Sequence, residues 1–181
     1  MKKVALYLYL LLIYCACDAP ASKAPFAGDP QFRTTDPSRL YFRNIRSASY
    51  FHERRPNKMD VYRLRQFSNT KQRPIIYPVI INNWLEDEAY VFVEPNHFTN
   101  FHDTLTIQAK SDTGQTEYAL LVPNKKMQFD FAQQIYYNIK AGDELSIKVK
   151  NGTFIPIFSE KEDRQHYMTT LRDYYRLIES L

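Results

Sequence analysis

Glu144–Phe158 reads ELSIKVKNGTFIPIF. Leu145, Ile147 and Val149 alternate with Ser146, Lys148 and Lys150, which is the two-residue period of a half-buried strand. Asn151-Gly152 is the strongest two-residue hairpin signal, because the favoured turn needs positive φ at its central residues. Thr153–Phe158 then returns alongside. A single hairpin cannot bury its own apolar face, so the question is whether the chain repeats the pattern.

It does so upstream. Ser111-Asp112-Thr113-Gly114 is a turn between Asp103–Ala109, which places Leu105, Ile107 and Ala109 on one face, and Glu117–Pro123. Glu88–Glu94 sets Ala89, Val91 and Val93 together. Arg73–Asn82 is a continuous apolar run, the mark of a buried strand, although Pro78 in its middle argues for a bulge or an edge. Lys58–Phe67 alternates, and Arg39–Arg46 reads as a further short strand. Met127–Phe131 and Ile135–Lys140 are apolar and aromatic, and Ala141-Gly142-Asp143 reads as a turn. Short strands at such intervals predict a mainly β fold, an antiparallel β-sandwich. The last segment changes period. Tyr167, Leu171, Tyr174, Ile178 and Leu181 are spaced four, three, four and three apart, so residues 160–181 are expected to form a C-terminal amphipathic α-helix. Ser159 and Glu162 would supply its capping box.

The N-terminus follows a different logic. Lys2 and Lys3 precede an uncharged apolar run from Val4 to Tyr14, as in an export signal. The run is too short for a membrane span, which needs about 20 residues. It ends Ile13-Tyr14-Cys15-Ala16-Cys17, a small residue directly before a cysteine. This resembles the lipobox of bacterial lipoproteins, with Tyr14 standing where that family usually has an aliphatic residue. The resemblance covers residues 1–17 alone. It implies cleavage before Cys17 and a thioether-linked lipid on that cysteine. Residues 1–16 would be the signal peptide. Cleavage would leave Cys17 as the one remaining cysteine of the two in the chain, so no internal disulfide could form. Residues 17–37 carry Pro20, Pro25, Pro30 and Pro37 without hydrophobic period, and read as a lipidated cysteine on a flexible linker. Residues 38–181 would be the folded domain.

Charge is unevenly spread. From Gln31 to Arg73 eleven Lys/Arg stand against three acids, and from Pro74 to Val122 one base, Lys110, stands against seven acids. This asymmetry either forms a basic face for an acidic partner or is neutralised between neighbouring strands. Trp84, the one tryptophan in the chain, sits in the acidic loop Asn82–Glu88. It is either an exposed binding anchor or folded onto the core. Arg54 and Arg55 open a basic loop and are the companion binding candidates. His97, His102 and Asp103 are the residues to weigh for a metal, but they fall short of a full ligand set. With every glycine isolated there is no phosphate loop, no serine sits in a nucleophile elbow, and neither a cofactor nor a catalytic residue is expected.

These features point to a lipoprotein of the bacterial cell envelope. Its anchor would lie in the outer membrane or on the periplasmic face of the inner one. The expected role is binding or assembly, with an envelope protein or a glycan as partner besides the membrane and no nucleic acid. The alternatives are a tethered hydrolase acting on envelope polymers, or a structural subunit of an envelope complex.

Overall fold

A computed structural model describes residues 32–68, 73–96, 104–121 and 124–179. Strands β1 (Tyr50–Arg55), β2 (Met59–Leu64), β3 (Ile76–Asn83) and β4 (Glu88–Pro95) form one antiparallel sheet in that order. Strands β5 (Leu105–Ser111), β6 (Gly114–Leu120), β7 (Glu144–Lys148) and β8 (Phe154–Ile157) form a second, ordered β6-β5-β7-β8. The helices are α1 (Asp36–Tyr41), α2 (Arg65–Ser68), α3 (Lys125–Ala141) and the C-terminal α4 (Lys161–Leu177). The result is a mainly β, two-sheet antiparallel sandwich with an amphipathic C-terminal helix, as the strand pattern led us to expect.

Alternation sets the faces. Register places Tyr62, Ile80 and Val91 side by side across the first sheet. All three are buried, in one core with Leu105, Ile107, Leu145, Ile147 and Ile157 of the second sheet. Helix α4 and its C-cap bring Tyr167, Leu171, Tyr174, Tyr175 and Ile178 into the same core. Its Tyr167 hydroxyl donates to the Ala132 carbonyl of α3 at 3.1 Å, and its Tyr174 hydroxyl donates to the Ala89 carbonyl of β4 at 3.3 Å. Buried phenols need such acceptors, so each aromatic ring also fixes a helix position. The free edge of β4 is closed in two ways. Ala89 N–H donates to the Phe32 carbonyl at 2.8 Å, and Val93 N–H donates to Gln128 Oε1 of α3 at 2.9 Å. An edge strand so covered offers less backbone to another chain.

Several local expectations are corrected. Residues 39–46 are not a strand. Thr35 caps α1, with its side chain accepting from Ser38 N–H and the Ser38 side chain bonding back to Thr35 N–H, and Pro37 sits in the first turn. That reciprocal cap and early proline start a helix. It runs on into a π-helical turn, Phe42–Arg46, and then a short 3₁₀ turn. The packed body begins before residue 38: the backbone of Arg33 forms an isolated antiparallel β-bridge with that of Glu88, and Thr34 N–H donates to the Asp87 carbonyl at 2.7 Å. The segment 125–141 is one helix, capped by Asn124 and closed by Gly142 at φ 88°. Its buried Gln128, Ala132, Ile135 and Ile139 follow a helical period.

Pro78 lies within β3, a central strand. The pairing of β2 ends at Arg63 opposite Val79, so Pro78 removes no donor from that ladder. At the Asn151-Gly152 turn, Val149 N–H donates to the Thr153 carbonyl, leaving three residues in the loop. Only Gly152 has positive φ there, so the loop is a three-residue one rather than a two-residue type I′ turn. Finally, α4 is capped by Glu160 without a side-chain bond, not by a Ser159 capping box.

Two acids of α4 are buried. Asp173 is 2% exposed and accepts two bonds from Arg46, at 2.8 Å each, and one from the Tyr50 hydroxyl at 2.7 Å. Asp163 is held by Arg73 at 2.6 and 3.0 Å. Removing one partner of a buried pair strands the other charge. Asp173→Ala is therefore expected to cost about 3–5 kcal/mol of unfolding free energy in urea titrations. Lys126→Ala, which breaks an exposed pair with Asp130 one turn on, should leave the midpoint nearly unmoved.

Candidate binding cleft

Register brings the β1–β2 connection and the β3–β4 turn to the same end of the first sheet, because Met59 pairs with Asn83. Trp84 N–H donates to the Lys58 carbonyl at 3.2 Å across this junction. On the other side, Arg39 of α1 reaches Asp87 in the β3–β4 turn and Asp36 on its own helix. The guanidinium of Arg39 lies over the Trp84 ring, 5.3 Å from its centroid. Three segments distant in sequence thus converge on one indole.

At the base of the junction is Asp60, 4% exposed. Its Oδ2 accepts from Trp84 Nε1 at 2.6 Å, and its Oδ1 lies 2.9 Å from His52 Nε2. Arg54 Nε is farther off at 3.5 Å, with most of the arginine side chain in solvent. His52 stacks flat on Tyr62, with ring centroids 4.8 Å apart. Burial by itself would push the Asp60 carboxyl up. The bonds from His52 and Trp84 outweigh it and hold the carboxyl below the usual range. Burial, with Asp60 alongside, pushes the Tyr62 phenol up to about 12.

Around this base lie two clefts. One, of about 500 Å³, is lined by Arg43, Arg54, Lys58, Asp60 and Trp84. The other, of about 440 Å³, is lined by Asp36, Pro37, Arg39, Leu40, Arg43 and Trp84. Trp84 and Arg43 belong to both. The first cleft holds three bases and one acid, and that acid is already engaged. Among the described residues Arg43 and Lys58 make no ion pair, and Lys58 holds a left-handed backbone at φ 55°. Concave sites of this size with few convergent polar groups are the usual form of a ligand site.

Of the binding candidates named from sequence, Trp84 and Arg54 meet in one cleft. Arg55 does not join them. It follows Arg54 on β1, so it points to the opposite face, where it bonds Glu53 at 2.9 Å. Cys17, His97, His102 and Asp103 lie outside the described residues, and among those described no three His, Cys, Asp or Glu gather as a metal would require. Arg43 carries no signal in the sequence, because residues 39–46 read as a strand. In the helix that Thr35 and Pro37 announce, Arg39 and Arg43 are four apart and share a face. Asp60 carried no signal, since an acid at a strand start reads as solvated.

The depressed Asp60 pKa gives a testable pH dependence. Its contribution to stability is complete above the unfolded carboxyl value of about 3.9 and is lost as pH falls through the lower folded value. Trp84 emission should therefore change on acidification below pH ~4 in the native protein. In Asp60→Asn, whose amide cannot ionise, that step should be absent.

Comparison with protein-family models, with curated proteins and with solved structures returns no match, so the cleft is read from its own geometry.

Proposed function

We propose that this chain is a lipoprotein of the bacterial cell envelope, attached through Cys17, that serves as a binding module for an anionic partner. The observation that carries the binding half is the meeting of Trp84 and Arg54 with Arg43 and Lys58 in one cleft. Unengaged cations beside a held aromatic ring suit an acidic ligand. The cleft's one acid fits recognition better than acid–base work. Asp60 is bonded by Trp84 and His52 and kept below the usual carboxylate range, which leaves it a poor proton carrier near neutral pH. The anchoring half rests on the signal-like residues 1–17 and the lipobox resemblance. None of the helices among the described residues is long and apolar enough to cross a membrane.

Mass spectrometry of the mature N-terminus tests the anchor. The expected product begins at Cys17 and carries the mass of a diacylglycerol thioether. A free N-terminus near Ala21 overturns it. Trp84 emission tests the binding: solubilised envelope material should shift it, and the shift should vanish in Arg43→Glu/Lys58→Glu. An emission indifferent to every envelope fraction overturns the binding module.

A further inference from the structure

The two clefts differ in chemistry. The first is cationic, walled by Arg43, Arg54 and Lys58. The second is walled largely by apolar matter, namely Pro37, Leu40, the Trp84 ring and the stems of Arg39 and Arg43. Its Arg39 is bonded to Asp36 and Asp87, and its other cation, Arg43, is shared with the first cleft. A ligand filling both must therefore carry an anionic group joined to an apolar body.

The surface around the clefts has the same character. Six large hydrophobic residues are exposed among the described residues, and of these Leu40 lines the second cleft and Leu85 directly follows Trp84. Leu40 is 50% exposed and Leu85 62%. Exposed aliphatic side chains interleaved with Trp, Arg and Lys suit a membrane interface, where basic groups meet headgroup phosphates and apolar ones enter the acyl boundary. A protein partner bound by charge alone would not need the aliphatic rim, and a polysaccharide would leave Leu40 and Leu85 in water.

Resting on the binding-module reading, we propose that the paired clefts take an acidic lipid. Its phosphate enters the Arg43–Arg54–Lys58 cleft, and the start of its acyl chains lies along Pro37, Leu40 and Trp84. The occupant is a lipid in the bilayer, not a free phosphate. The domain would then sit face-down on an anionic leaflet, with the sheet end that bears Trp84 against the lipid.

The test uses the full lipidated chain reconstituted into vesicles, with Trp84 as the sole tryptophan reporter. Vesicles of phosphatidylcholine alone are compared with vesicles containing phosphatidylglycerol, each with acyl-brominated lipid as quencher. Phosphatidylglycerol is expected to move Trp84 emission to shorter wavelength and to strengthen bromine quenching several-fold, and added salt to reverse both. Arg43→Glu/Lys58→Glu should weaken the response at least about tenfold. Lys110→Glu/Lys126→Glu, with the same charge change on the second sheet and α3, should not. Leu40→Gln should reduce quenching while keeping the salt dependence. Equal emission and quenching in the two vesicle types overturns the proposal. In that case polygalacturonate and polyglutamate are added to the micelle-solubilised chain. A Trp84 response to either keeps the binding module with a soluble acidic partner, and silence to both removes it. A phosphate-only response, seen with inorganic phosphate and not with vesicles, also overturns the lipid.

Discussion

Asp173 lies on the buried side of α4, and a carboxylate there is tolerable only when paired and hydrogen-bonded. Arg46 and Tyr50 meet that demand together. Arg46 ends the π-helical turn and Tyr50 begins β1, so one anion positions the close of one element and the start of the next. Asp163, on the same helix, holds Arg73 just ahead of β3. The C-terminal helix thereby ties down two connections of the first sheet by charge, besides packing on it through Tyr167, Leu171 and Tyr174. Arg43 stands three residues before Arg46 within the π turn. The turn that bonds Asp173 through Arg46 thus also carries Arg43 to the cleft beside Trp84. π turns of this kind recur at functional sites because they redirect a side chain without ending the helix.

The uneven charge of the sequence resolves into two populations. Some bases are neutralised by acids from the other segment: Arg63 is held by Glu94 at 2.9 Å twice over, and Arg39 by Asp87. Arg63 also bonds Glu53, and these groups share the sheet face away from the cleft. Arg43 and Lys58 have no such partner among the described residues. The Arg63–Glu94–Glu53 pairing thus lies on the sheet face away from the cleft, while at the cleft Arg39 is paired with Asp87 and Arg43 and Lys58 are not. The strand period is why Arg54 and Arg55 part company.

The strands were legible because their burial alternates. Leu145 and Ile147, and Ala89, Val91 and Val93, are buried in the phase that their spacing implied. The C-terminal stripe was legible for the same reason at helical period. What escaped were elements whose signal lies in caps rather than in periodicity. Helix α1 is announced by Thr35, Pro37 and Ser38, and α3 by Asn124 and Gly142, yet their aromatic content reads as strand when the caps are passed over. The cleft was half legible. Trp84 and Arg54 stand out as residue types, but Arg43, Lys58 and Asp60 are brought to them by pairing between distant segments, which no local pattern contains.

Trp84 lies between the two positions that its sequence context left open, neither fully exposed nor part of the core. Its polar end is turned inward: the indole N–H is consumed by buried Asp60, and its backbone N–H by Lys58. Its ring is partly buried and walls both clefts. An indole with its donor already satisfied has only an apolar surface to offer a ligand. All the polarity available for recognition then comes from cations on long, hydrated stems at the rim. On the proposed reading, such a division, with a held apolar ring at the centre and unengaged positive charge around it, would discriminate by charge and by burial together. It would take an anion only when that anion brings something apolar to cover the ring.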